Sequence, residues 1–216
     1  MALSQSSDEH DMPLANRRKS PWLKHYKATA SRAPSETLAK ALALFESETR
    51  PKRQRYAIDL GCGGGKDTLE LLRMGWRVLA VDSEPEIIQW VRSTAPPRHR
   101  AQLQTRVALL EELRLPKCDL INASYSLPFC PPNQFDSLWR KIVSSLRPGG
   151  RFAGHLFGTR DDWSKDVDKT FHTRKQINNL LSEFEVEDFL EVEREGTTAS
   201  GRRKHWHVFS IVARKS

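Results

Sequence analysis

The chain has 216 residues, 38% of them hydrophobic and 29% charged, enough for one α/β domain with a substantial core and too few for two. No apolar run approaches the ~20 residues of a membrane helix, and the polar opening lacks the apolar stretch of a secretory signal, so a cytoplasmic protein with no membrane contact is expected. The net charge of +8 raises nucleic acid as a partner, yet the bases cluster at 17–19, 52–55 and 202–204, segments that read as tail, linker and turn and imply a solvated surface.

Residues 1–20 carry no apolar periodicity and are expected to form a disordered basic leader. Residues 21–50 read as an N-terminal helical lid, with a helix starting at Pro34-Ser35-Glu36 and running through Leu38, Leu42 and Phe45. From residue 51 to 216 a single domain is expected. Strand-like and helix-like runs alternate in it, the pattern of crossover units feeding a parallel sheet.

The predicted strands are 56–60, 77–81, 103–107, 119–123 and 151–157, with helices at 66–74, 84–94 and 134–146. The last helix is expected to close on Arg147-Pro148-Gly149-Gly150, with a glycine as its cap. A helix at 173–182 and two strands, 185–193 and 205–213, complete the chain, joined by a hairpin-like loop over 196–201. A hairpin at the end of a parallel sheet requires one strand to run antiparallel.

Cys62, Cys118 and Cys130 are odd in number and far apart, which suits neither a disulfide framework nor a paired-thiolate metal site. His205 and His207 share a strand face at spacing two, but no third ligand is in view, so no metal is expected.

The chemistry-bearing run is Tyr56 to Gly65, in which Asp59 ends a strand and Gly61, Gly63 and Gly65 follow in a turn that enters a helix. Glycines there permit torsions closed to other residues and let the backbone approach a ligand at a helix N-terminus. A dinucleotide dehydrogenase needs its third glycine where Lys66 stands, so that reading fails. The next strand ends on Asp82, one crossover unit on, where a carboxylate can accept two ribose hydroxyls.

This pattern resembles class I S-adenosylmethionine-dependent methyltransferases. Arg147 to Gly150, the run from Phe157 to Trp163 and the run from Lys204 to Phe209 are similar to small bacterial methyltransferases of the tellurite-resistance-like branch. The resemblance implies an α/β, Rossmann-like, doubly wound and mostly parallel seven-stranded sheet with a C-terminal antiparallel hairpin strand. It implies S-adenosyl-L-methionine as the cofactor, held by Asp59, Gly61, Cys62, Gly63, Gly65, Asp82 and Ser83. Asp59 would take the amino group and Asp82 the ribose. Where the family often places a carboxylate for the adenine, this chain has Leu109 and Leu110, with Glu111 or a backbone group left to read the ring edge. Ala123 and Ser124 fall beside the reacting methyl group.

Methyl transfer needs an in-line acceptor, dry surroundings and sometimes a base. Candidates for the acceptor pocket are Tyr26, Arg32, Phe129, Phe157 and Trp163, with Tyr125 and His155 as candidate catalytic groups and His155 as a possible general base. The fourth strand lacks the Asn/Asp-Pro-Pro-aromatic sequence of nucleic-acid amine methylases. No dedicated nucleic-acid module is visible either. The expected activity is therefore methyl transfer to a small molecule by a monomer or homodimer. The rivals are an RNA or protein methyltransferase and a non-catalytic cofactor-binding module.

Overall fold

A computed structural model of the protein describes residues 26, 32–48, 53–198 and 201–216. The expected leader over 1–20 lies outside these residues, as does the expected lid over 21–50 except for 26 and 32–48.

The first helix, α1 (Glu36–Glu46), starts where Ser35 Oγ accepts the Leu38 N–H. Its apolar residues Leu38, Ala41, Leu42 and Phe45 recur at i, i+3, i+4 and i+7 and are buried against Leu71, Leu72, Ala153 and Val212. A buried leucine or phenylalanine stabilises by about 1.5–3 kcal/mol. This part of the 21–50 segment is thus a core helix laid on the sheet.

The sheet strands are β1 (Tyr56–Leu60), β2 (Arg77–Asp82), β3 (Leu103–Val107), β4 (Cys118–Ala123), β5 (Leu146–Gly158), β6 (Phe171–His172), β7 (Phe184–Thr197) and β8 (Arg203–Lys215). The helices between them are α2 (Lys66–Arg73), α3 (Pro85–Thr94), α4 (Pro132–Ser145) and α5 (Arg174–Leu180). The order across the sheet is β3-β2-β1-β4-β5-β8-β7, with β6 pairing only the end of β5. Strands β1 to β5 pair in parallel, and β8 runs antiparallel to both β5 and β7. The chain moves outward from β1 to β3 and then returns to β4 on the other side. The topological switch therefore falls between β1 and β4, the place where open α/β sheets bind ligands at their carboxyl ends.

Helices α1, α2 and α3 cover one face, over Ala57, Val78, Ala80 and Leu120. Helices α4 and α5 cover the other, over Ile58, Leu79, Ile121 and Phe152. Alternate residues of each strand serve the two layers.

Two expectations need correcting. Among the described residues a short eighth strand joins the seven expected, because Phe171 and His172 pair with Phe157 and Gly158. And α4 does not run on to a glycine cap. It ends at Ser145, Leu146 is already extended and paired with Cys118, and Gly149, with φ of 74°, sits inside β5 where the pairing shifts register. That left-handed residue and Pro148 read equally well as a helix stop or as a bulge.

Candidate functional site

The glycine loop leaves β1 and is pinned to β2: the Gly61 and Cys62 N–H groups both donate to the Val81 carbonyl, at 2.8 and 2.9 Å. Gly61, Gly63 and Gly65 have φ of 70°, 50° and 83°, values that side chains resist. Gly61 is further constrained by space, since a Cβ there would lie 2.4 Å from the Ser126 Cβ. Ser126 Oγ in turn donates to the Leu60 carbonyl at 2.6 Å. The loop that leaves β4 is thereby locked against the glycine loop.

At the end of β2, Asp82 accepts the Gly63 N–H and the Glu84 N–H, both at 3.0 Å. Burial pushes its carboxyl above the usual range, opposed by those backbone donors. Tyr26 reaches the same place. A Cβ on Gly63 would lie 2.9 Å from its ring, and burial, followed by the charges of Asp82, Cys62 and Glu84, pushes its phenol up. The structure thus sets Tyr26 over the glycine loop and leaves Arg32 exposed.

Behind the loop Asp59 is buried and accepts from Thr68 Oγ1 at 2.5 Å and Asn122 Nδ2 at 2.8 Å. Leu109 lies past the end of β3, partly exposed beside Leu110 and Glu111. The neighbouring Ala108 N–H donates to the Asp82 carbonyl at 3.1 Å. Ser83 is exposed, Ala123 is buried and Ser124 is half-buried at the end of β4.

Beyond Ser126 the ends of β4, β5 and β8 carry a continuous aromatic wall. Tyr125, at φ of 56° the only left-handed non-glycine among the described residues, stacks flat on His155 with ring centroids 4.0 Å apart. Such strain concentrates at functional sites. Phe157 and Trp206 stand 6.4 Å from the Tyr125 ring, and Phe129 meets Phe157 and Trp163 at 6.4 and 6.3 Å. Tyr125 and Phe129 are each 41% exposed, so theirs are the rings that face outward. Burial raises the Tyr125 phenol, with Arg194 beside it acting the other way.

His155 is buried beneath Tyr125, and its Nδ1 has no partner among the described residues. Burial, and then Lys66, hold its imidazole down at about 3. It is therefore neutral near pH 7 and a weak proton acceptor. The unfolded chain takes up this proton below the ordinary histidine value of ~6.5 while the folded protein does not. Its contribution to stability is thus present above pH 6.5 and is lost as the pH falls toward 3. Relative to His155→Phe, the wild type should lose about 1.4 kcal/mol per pH unit across that window, measured by urea unfolding at a series of pH values. Parallel profiles would show that the imidazole is not held neutral.

Sequence reasoning missed the support of this wall. Lys204, read as part of a solvated basic turn, is buried with its side chain 1% exposed and pairs with Asp161 at 2.6 Å. Its ammonium lies 3.4, 4.0 and 4.8 Å from the ring centroids of Trp206, Trp163 and Phe157. The available signal was alternation, since Lys204 and Trp206 share one strand face. In the 52–55 cluster, Arg53 pairs with Asp119 and Arg55 lies over the Phe45 ring.

Glu191, Glu193 and His207 are the described residues grouped closely enough for a metal ion. A cation of the protein's own stands among them: Arg160 reaches Glu191 at 2.9 Å and Glu193 at 2.8 Å, and its N–H donates to His207 Nδ1 at 3.1 Å. His205 turns to Glu195 at 2.7 Å. All three cysteines are buried and free.

Residues 57–150 match the family model described as a methyltransferase domain. Carboxy-S-adenosyl-L-methionine synthase of Yersinia enterocolitica is 30% identical over 154 residues, covering 66% of this chain and 55% of that protein. The chain thus spans about half the length of the curated relatives it matches. TehB from Haemophilus influenzae superposes with a TM-score of 0.71 at 16% identity, over 88% of this chain and 65% of that one. A 1,6-didemethyltoxoflavin-N1-methyltransferase from Burkholderia thailandensis, solved with 1,6-didemethyltoxoflavin and S-adenosylhomocysteine, gives 0.63 at 23% identity over 95% and 93% of the two chains.

Proposed function

We propose that the chain binds S-adenosylmethionine and directs methyl transfer to a small-molecule acceptor by in-line displacement, since residues 57–150 match a methyltransferase-domain model and the fold is that of known methyltransferases. The observation that carries this reading is the lock between Gly61 and Ser126. It joins the glycine loop to the loop bearing Tyr125, so a cofactor site and an aromatic pocket share one wall.

The residues present fit the cofactor. The three left-handed glycines allow a tight turn in which Ser126, Tyr26 and Val91 pack where a Cβ would stand, so the main chain itself can face a ligand. Asp82 lies at the mouth of the loop for the ribose hydroxyls. Each oxygen of Asp59 takes one protein donor and keeps acceptor capacity for an amino group. Leu109 and Leu110 suit the faces of an adenine, with Glu111 or a backbone group at its edge, and Cys62, Ser83 and Ser124 complete the lining, while Ala123 is buried behind it. When bound, S-adenosylmethionine supplies a methyl group on a sulfonium centre.

The chain's own work is to place the acceptor and keep water out. Tyr125, Phe129 and Trp163 form the wall against which an acceptor lies, and Phe157, buried behind them, backs it instead of lining it. His155 holds Tyr125 from beneath and is too weak a base to take a proton readily. Tyr26 over Gly63 supports closure by the segment before Pro34, with Arg32 at its edge. We further propose a cytoplasmic monomer or homodimer. No helix among the described residues is long and apolar enough to cross a membrane. The pairing of Arg53 with Asp119 and the burial of Lys204 favour a small acceptor over RNA or protein.

The name of the curated relatives supports a second reading, in which the cofactor itself is the molecule altered. Mass spectrometry separates the two: transfer leaves S-adenosylhomocysteine, whereas alteration adds mass to the sulfonium compound.

Thermal unfolding checks the ligand class. S-adenosylhomocysteine at a hundred times its Kd should stabilise the fold by about 2.7 kcal/mol. NAD should leave the midpoint unchanged, because Lys66 occupies the position of the third dehydrogenase glycine. Stabilisation by NAD alone would overturn the reading.

A further inference from the structure

The polar cluster behind the glycine loop contains two carboxylates where holding an amino group needs one. Asp59 on β1 and Asp67 on α2 are joined by a single amide, with Asn122 Nδ2 donating to Asp59 at 2.8 Å and to Asp67 at 3.1 Å. Asp67 also takes both donors of Ser35, the N–H at 2.8 Å and the hydroxyl at 2.9 Å. Ser35, Asp59, Asp67, Thr68 and Asn122 are all buried. The Asn122 Oδ1 has no partner among the described residues, so the cluster holds a buried acceptor for which these residues supply no donor.

We propose that Asp67 is a positioning residue for the cofactor. By setting a second negative charge against Asp59, it makes Asp59 carry a proton in the ligand-free protein, and the cofactor's ammonium group displaces that proton on binding. The inference rests on the reading of Asp59 as the acid that receives the amino group.

Two like carboxylates in one buried site cannot both ionise cheaply. Burial first and Asp67 second push Asp59 well above the usual carboxylate range, against the Thr68 and Asn122 donors. Asp82 from β2 acts on it in the same direction, and Asp59 and Asp82 in turn raise the neighbouring Cys62 thiol. β4 contributes only the neutral Asn122. An ammonium group reverses this balance. The proton leaves Asp59 for solvent, the ligand keeps its own protons, and the new carboxylate pairs with the ligand's positive charge. The raised value means that the proton is bound under mildly acidic conditions and leaves as the pH rises. Affinity should therefore fall by up to about tenfold per pH unit on the acid side, and level off above it until the ligand's own amino group loses its proton.

Titration calorimetry of the full chain with S-adenosylhomocysteine, at pH 6 in two buffers of different ionisation enthalpy, counts the protons. An α-amino group is already charged at that pH, so a released proton comes from the protein. The wild type should release close to one proton per ligand. Asp67→Asn should release fewer and shift the affinity profile to lower pH. Ser35→Ala, which removes a contact of Asp67 without changing charge, should lower stability and keep the wild-type proton count. Ligand binding by the wild type without proton release overturns the inference whether or not the variants fold. A proton count in Asp67→Asn equal to the wild type does so as well. A folded wild type that fails to bind at any pH overturns the reading of the site instead.

Discussion

Asp161→Ala is expected to destabilise the protein by about 3–5 kcal/mol, the usual result of removing one partner from a buried ion pair. Lys204 is left as the uncompensated charge. Its side chain is almost fully buried, and Asp161 is the carboxylate beside its ammonium. Three aromatic rings then have to hold a cation that has lost its counter-charge. Asp161 also accepts the Trp163 N–H at 3.0 Å and the His207 N–H at 3.2 Å, so the turn that presents Trp163 loosens with it. At 2–4 °C per kcal/mol for a chain of this size, the midpoint should drop by roughly 6–20 °C. The double variant Asp161→Ala/Lys204→Met should recover much of the loss, because no charge is then buried alone. A loss below about 1 kcal/mol in Asp161→Ala would show that water reaches the ammonium.

Asp82→Ala should weaken S-adenosylhomocysteine binding by about 2–5 kcal/mol, a factor of roughly 30 to 5,000. The carboxylate holds the Gly63 and Glu84 N–H groups before any ligand arrives. Its loss therefore removes a ribose acceptor and slackens the loop around it. Calorimetry on a variant with native circular dichroism measures the effect. Unchanged affinity would remove Asp82 from the site.

The parallel half of the fold was legible because its signals agree with one another. β1 and β2 are mostly apolar runs, one followed by a glycine and the other ending on an acid, and the observed β1 and β3 have the predicted bounds. The three glycines and Asp82 stand where spacing put them. Features that depend on distant pairing were not legible. β6 is two residues long and exists only because β5 is there to bond it, and β7 extends to Thr197 because β8 partners its whole length. Lys204 looks like a surface base until Asp161 and three rings from elsewhere in the chain surround it. Asp67 reads as an ordinary acid in the first turn of a helix. Its meeting with Asp59 and Ser35 comes from the packing of α1 and α2 onto β1 and β4.

The placement of β8 between β5 and β7 has a consequence for the order of assembly. A ribosome delivers the parallel strands first, and β5 then presents an open edge for the seconds taken to add the residues that follow it, at ~5–20 residues per second. Open edges recruit other chains. Trp206 and Lys204 arrive only with β8, so the strand that seals this edge also completes the aromatic wall. A nascent chain stalled before residue 203 would hold the whole glycine loop and half a pocket, with a sticky border where β8 belongs.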